Sequence, residues 1–104
     1  MNKTMHKSII FDLLSGHKEQ LLQFGVKEIG LFGSFVAGKE KEESDIDLLV
    51  EIDKKKKTLR NFLALNYYLE ELMGRKVELV TKQSLSKHIG PHILKSVEYV
   101  HFTD

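Results

Sequence analysis

The chain predicts an α/β fold, a small β-sheet with helices packed over it, on three observations. Strand-like apolar runs at 27–32, 45–52 and 76–81 alternate with segments whose apolar residues recur at helical spacing. Glycines stand at the junctions, where helices stop or strands turn. A length of 104 residues suits one domain over residues 1–104, with enough chain for a sheet and its covering helices.

Ile9, Ile10, Leu13 and Leu14, followed by Leu21, Leu22 and Phe24, predict two short helices or one helix broken at Ser15-Gly16. Gly25 closes this region and releases the chain into the first strand, 27–32. A short helix is expected over 35–39 with Gly33-Ser34 at its N-terminus, then an exposed charged loop over 38–44 and a second strand over 45–52. The lysines at 54–57 form a solvated loop or an electrostatic guide for a triphosphate or an acidic partner. Thr58 is the expected N-cap of the longest helix, which runs to Met73 and stops at Gly74. Leu59, Phe62, Leu63, Leu65, Leu69, Leu72 and Met73 cover a wider arc of that helix than one buried face requires. Part of the arc is therefore available to a second copy or to another protein. Tyr67 and Tyr68 on the same helix are expected to pack rather than to catalyse. A third strand follows at 76–81, and Gly90-Pro91 is expected to separate two short helical pieces before the tail.

Composition excludes several chemistries. With no cysteine there is no disulfide, no zinc-thiolate site and no thiol nucleophile, which fits a reducing cytoplasm. The net charge of +1, with lysines and acids interspersed, argues against a dedicated nucleic-acid binder. The early apolar run Ile9-Ile10-Phe11 is too short for a signal-peptide core or a membrane span. His88 and His92 are four apart, but Gly90-Pro91 interrupts the helix that a zinc pair would need. His6, His17 and His101 have no local companions and are read as surface or packing residues.

Chemistry concentrates in Leu31-Phe32-Gly33-Ser34-Phe35-Val36-Ala37-Gly38 and Ser44-Asp45-Ile46-Asp47-Leu48-Leu49-Val50-Glu51. A Gly-Ser pair between a strand and a helix offers free N–H donors, a hydroxyl and a positive dipole end, which together can seat a phosphate. Asp45 and Asp47 are one residue apart on a strand and so share a face. Two like charges placed side by side among apolar residues are costly unless a cation compensates them, and oxygen-only ligation suits magnesium. Glu78 stands alone among Val77, Leu79 and Val80, either as an uncompensated acid that also needs a cation or as a strand-end residue facing solvent. A phosphate seat beside a magnesium seat points to nucleotide chemistry.

Gly33-Ser34, ten intervening residues and Asp45-x-Asp47 resemble the signature of the DNA polymerase β-like nucleotidyltransferase superfamily. Phe24-Gly25-Val26, the run from Leu72 through Gly74-Arg75-Lys76 to Thr81, and Ile93-Leu94-Lys95-Ser96-Val97 extend the similarity to the minimal nucleotidyltransferases. These are small prokaryotic proteins often encoded beside a HEPN-domain protein as a toxin–antitoxin pair. The resemblance implies a mixed sheet with flanking helices, the polymerase β-like core. It also implies transfer of a nucleoside monophosphate, AMP from ATP, onto an acceptor hydroxyl, a tyrosine of the HEPN ribonuclease toxin. Carried over, Gly33 and Ser34 bind the triphosphate, Asp45 and Asp47 ligate two magnesium ions, and Glu78 is the third carboxylate.

Two positions depart from the family pattern. Ala37 stands where members commonly carry a basic residue, a charge that Lys39 or Lys41 could supply, and Glu78 is one methylene longer than the usual aspartate. These departures sustain a rival expectation, an antitoxin with weak or absent catalysis that neutralises its partner by binding. A transferase acting on a small molecule or on RNA is a further alternative, although no basic stripe or stacking aromatics favour RNA.

Overall fold

The computed structural model describes residues 6–41, 44–85 and 90–100. Its helices are α1 (Lys7–Gly16), α2 (Lys18–Gln23), α3 (Ser34–Ala37), α4 (Leu59–Met73) and α5 (Gly90–Ser96). Its strands are β1 (Val26–Phe32), β2 (Ile46–Ile52), β3 (Val77–Thr81) and β4 (Glu98–Tyr99). Single 3₁₀ turns at Lys54–Lys56 and Lys82–Ser84 follow β2 and β3.

The four strands form one sheet in the order β3-β2-β1-β4. β1 is antiparallel to β2 and to β4, whereas β2 and β3 are parallel, so the sheet is mixed as expected. The parallel pair arises because α4 carries the chain back between β2 and β3; parallel neighbours need such a crossover. Thr58 caps α4, its hydroxyl oxygen accepting the Asn61 N–H at 3.1 Å, and Gly74 ends the helix at φ 69°. Asn61 also ties the helix down: its amide donates to the Phe24 carbonyl at 2.7 Å and to the Lys56 carbonyl at 2.9 Å.

One face of the sheet is the core. Ile29 and Leu31 of β1, Ile46, Leu48, Val50 and Ile52 of β2, and Val77 of β3 meet Ile10, Leu14, Leu21, Leu65, Leu69 and Met73 from α1, α2 and α4. The alternation of strand side chains sends the intervening residues to the other face. There the register lines up Phe32, Asp47 and Glu78 in one row, Gly30, Leu49 and Val80 in the next, and Glu28 with Glu51 in a third. Val97 and Tyr99 cross this face at Gly30, so closely that a Cβ on Gly30 would lie 2.6 Å from the Val97 side chain. Leu49 is fully buried although it lies outside the main core cluster.

Several expectations need correction. The two short helices are present as expected, but their break falls one residue later: α1 includes Gly16 and the chain turns at His17, whose Nδ1 lies 2.8 Å from the Leu13 carbonyl. Gly90 and Pro91 are the first two residues of α5, where proline lacks only an N–H that would be unpaired anyway; residues 86–89, on which the expected preceding helical piece falls, lie outside the described residues. β4, two residues long, was not anticipated; its periodicity is too short to register and only its pairing with Gly30 and Leu31 defines it. The short helix begins at Ser34 and ends at Ala37 rather than spanning 35–39. His88 and His101, with part of the 38–44 loop, lie outside the described residues. Of the remaining histidines, His6 is exposed beside Glu40 at 3.3 Å, His17 packs edge-on to Tyr68, and His92 is exposed on α5. Among the described residues no helix is long and apolar enough to cross a membrane.

Candidate active site

At one end of the sheet, β1 delivers the chain into a sharp turn at Gly33 and then into α3. Gly33 has φ 79° and ψ −149°, a conformation closed to residues with a side chain, and it is the N-cap of α3. The Val36 and Ala37 N–H groups both turn back to the Gly33 carbonyl at 3.1 Å, which leaves the Ser34 and Phe35 N–H groups as the orphan donors of this first turn. The Ser34 hydroxyl makes no hydrogen bond among the described residues. Phe35 is buried and anchors the turn, while Ala37 and Lys39 are exposed.

Asp47 enters the site from β2, next to this turn. It faces Phe32 across the antiparallel pair and Glu78 across the parallel pair. A Cβ built on Gly33 would lie 2.2 Å from Asp47 Oδ2, so the carboxylate occupies the space that any other residue at 33 would fill. Asp45, the expected first residue of the strand, lies just before β2, which begins one residue later at Ile46, and it is half-buried like Asp47. Glu78 is exposed on the edge strand β3. Its electrostatic effect on the site therefore comes not from its own burial but from its position beside Asp47.

The electrostatics mark this cluster as incomplete. Partial burial, followed by repulsion from Glu78 and then from Asp45, pushes the Asp47 carboxyl up to about 6. None of Asp45, Asp47 and Glu78 makes a side-chain hydrogen bond or salt bridge among the described residues. A second acidic pair on the same sheet face provides the contrast. Glu28 and Glu51 share Lys82, which donates to Glu28, lies 3.8 Å from Glu51, and sits 5.1 Å from the centre of the Tyr99 ring. One acidic group has its cation built in, and the other does not.

An oxygen-only donor set of two half-buried aspartates and an exposed glutamate fits a hard divalent cation. Among the described residues no three acid or imidazole side chains already close around a point. Magnesium suits such an open arrangement, since it takes one or two protein carboxylates and keeps water and substrate phosphates in its shell. The Lys39 amine forms no salt bridge among the described residues, so no contact ties it to the carboxylates.

Arg75 belongs to the site's frame, a role the sequence reading did not assign. Its guanidinium donates to the Ser44 carbonyl at 3.0 Å and lies 5.5 Å from the centre of the Phe35 ring. It thus joins the segment leading into Asp45 to the helix that follows Gly33. The only local hint was an arginine just after the Gly74 helix stop.

Comparison with known proteins gives a consistent picture. The nucleotidyltransferase domain family matches residues 14–100. Protein adenylyltransferase MntA of Thermococcus cleftensis is 46% identical over 92 residues, covering 88% of this chain and 92% of the relative. A solved structure provisionally described as a minimal nucleotidyltransferase superposes with a TM-score of 0.79 at 25% identity, over 93% of this chain and 98% of that one. The same fold, at 21% identity and a TM-score of 0.62, occurs in the complex of a tri-AMPylated Shewanella oneidensis HEPN toxin with MNT antitoxin, over 89% of this chain and 73% of that one.

Proposed function

This chain belongs to the nucleotidyltransferase domain family, and we propose that it moves AMP from ATP onto a tyrosine hydroxyl of a HEPN-domain toxin, acting as that toxin's antitoxin. The observation that carries this reading is the Asp47 carboxylate lodged against Gly33 and flanked by Glu78, with no cation of its own. Asp45, Asp47 and Glu78 are the residues that would hold magnesium, two ions in the full site, and when bound the metal would supply charge neutralisation for the triphosphate.

The chain's own groups supply position. Ser34 and Phe35 N–H groups and the Ser34 hydroxyl hold triphosphate oxygens at the Gly33 turn. Lys39 supplies the positive charge that Ala37 lacks. The acceptor oxygen attacks the α-phosphorus; the new O–P bond forms as the bond to the bridging oxygen of pyrophosphate breaks. We assign the role of hydroxyl-proton acceptor to Glu78, whose exposure at the open edge supports that reading. Rate then derives from orientation and preorganised charge, with no covalent enzyme intermediate.

The test is transfer from ATP labelled on the α-phosphate, in magnesium, to the purified HEPN-domain protein of the same organism. Label on a tyrosine with the unmutated chain, and none with Asp45→Asn plus Asp47→Asn, supports the reading. A stable complex that never acquires label overturns it in favour of neutralisation by binding, the alternative that Ala37 and Glu78 keep open.

A further inference from the structure

The Leu59, Leu63 and Tyr67 side chains stand on α4 at spacings of four residues and are 74%, 54% and 71% exposed. Residues four apart stack on one helical stripe, and Leu63 lies about 200° round the helix from Leu65, which points into the core. The helix is therefore apolar on two sides. Grooves run along both flanks of the exposed ridge at its N-terminal end. One, of about 430 Å³, is lined by Ile52, Leu59, Phe62, Leu79 and Val80, beside the unpaired edge of β3. The other lies between Lys55, Lys56, Arg60 and Ala64.

The charge around this ridge is one-sided. Lys54, Lys55, Lys56, Lys57 and Arg60 are all exposed, and none of them forms a salt bridge among the described residues. A second copy of this chain packed antiparallel along α4 would offer these five cations only the two acids of that helix, Glu70 and Glu71. A nucleic acid would match the charge but would leave two leucines unmatched. What fits both features is a protein helix with apolar side chains for the grooves and acidic residues beside them.

The location separates this surface from the carboxylates. β2 and β3 both run from the Asp47 and Glu78 end towards Ile52 and Thr81, where the groove lies. The five residue steps from Asp47 to Ile52 span about 16 Å, and α4 covers about 22 Å between its two ends.

We propose that the α4 ridge, with the lysine turn before it, is the docking surface for an acidic amphipathic helix of the partner protein, remote from the transfer site. This rests on the reading that the chain acts on a HEPN-domain partner, and it adds where that partner is held.

The test measures binding of the full chain to the purified HEPN-domain protein by calorimetry, with size-exclusion light scattering and a fluorescent single-stranded RNA in parallel. Leu63→Glu, and separately the combined Lys54→Glu, Lys55→Glu, Lys56→Glu and Lys57→Glu variant, should each weaken binding tenfold or more. Both alter exposed side chains, and thermal melting checks that they fold. Asp47→Asn should bind like the unmutated chain. Full-strength binding by both surface variants overturns this inference and leaves the transfer reading intact. Failure of the unmutated chain to bind overturns both. Loss of self-association in Leu63→Glu, or loss of RNA binding in the lysine variant, with partner binding unchanged, overturns it in favour of a second copy or of RNA.

Discussion

Asp47 and Gly33 interlock: the Asp47 carboxylate occupies the position where a Cβ on residue 33 would stand, 2.2 Å from Oδ2. The contact joins the turn at the head of α3 to the acid on β2, two elements that come from separate parts of the chain. Gly33→Ala should therefore act on both at once. A side chain at φ 79° and ψ −149° costs about 1–3 kcal/mol, and displacement of the carboxylate by about 1 Å should lower transfer roughly a hundredfold. Thermal melting and the α-labelled ATP assay read the two effects separately; transfer at the unmutated rate would show that this contact does not set the geometry.

Asp47 should make the metal-free protein less stable as pH rises. Its carboxyl is pushed up to about 6 in the fold against an ordinary value of 3.8. The folded state therefore binds the proton more tightly than the unfolded chain. Stability from this group is complete below about pH 4 and falls away as pH rises through about 6. Because the side chain is only half-buried, screening leaves an effect on the order of 1 kcal/mol. In chelator at pH 7.5, Asp47→Asn should melt about 4–8 °C above the unmutated chain, and the gap should close near pH 4. Adding magnesium should stabilise the unmutated chain only. A variant that melts lower at pH 7.5 would contradict the repulsion among Asp45, Asp47 and Glu78.

Arg75→Lys should reduce transfer about tenfold while the fold survives. Lysine keeps the charge but loses the planar donor that reaches the Ser44 carbonyl and stacks on Phe35. Since Arg75 frames the turn and the segment before Asp45, the loss should appear in KM for ATP as well as in kcat. Unchanged kinetics would remove Arg75 from the site's frame.

Asn61→Ala should destabilise without touching chemistry. It leaves the Phe24 and Lys56 carbonyls without their 2.7 Å and 2.9 Å donors, a loss of about 1–3 kcal/mol. Denaturant unfolding should report that loss while transfer measured well below the melting temperature stays at the unmutated rate. A fall in transfer at constant stability would mean that Asn61 also influences the distant carboxylates.

Much of this fold was legible in local chemistry. Strand periodicity, the Thr58 cap and the Gly74 stop located three strands and α4 to within a residue or so, because each signal lies in neighbouring residues. Gly33-Ser34 and Asp45-x-Asp47 were equally visible, since the glycine turn and the acid pair are each contained in a few consecutive positions.

The rest depended on contacts between distant residues. β4 is a strand only because Gly30 and Leu31 pair with it, and Pro91 opens a helix that the sequence pattern alone suggested it would break. Glu78 was read either as an acid needing a cation or as a strand-end residue facing solvent; it is exposed, and its repulsion of Asp47 exists only through the β2–β3 register. Arg75 gained its place through Ser44 and Phe35, 31 and 40 positions away. By itself the sequence determined which residues could do chemistry, because side-chain type and short-range spacing are local properties. Only the tertiary structure decided which of these acids have a cation beside them, since among the described residues Lys82 forms ion pairs with Glu28 and Glu51 across the sheet and none with Asp45, Asp47 or Glu78.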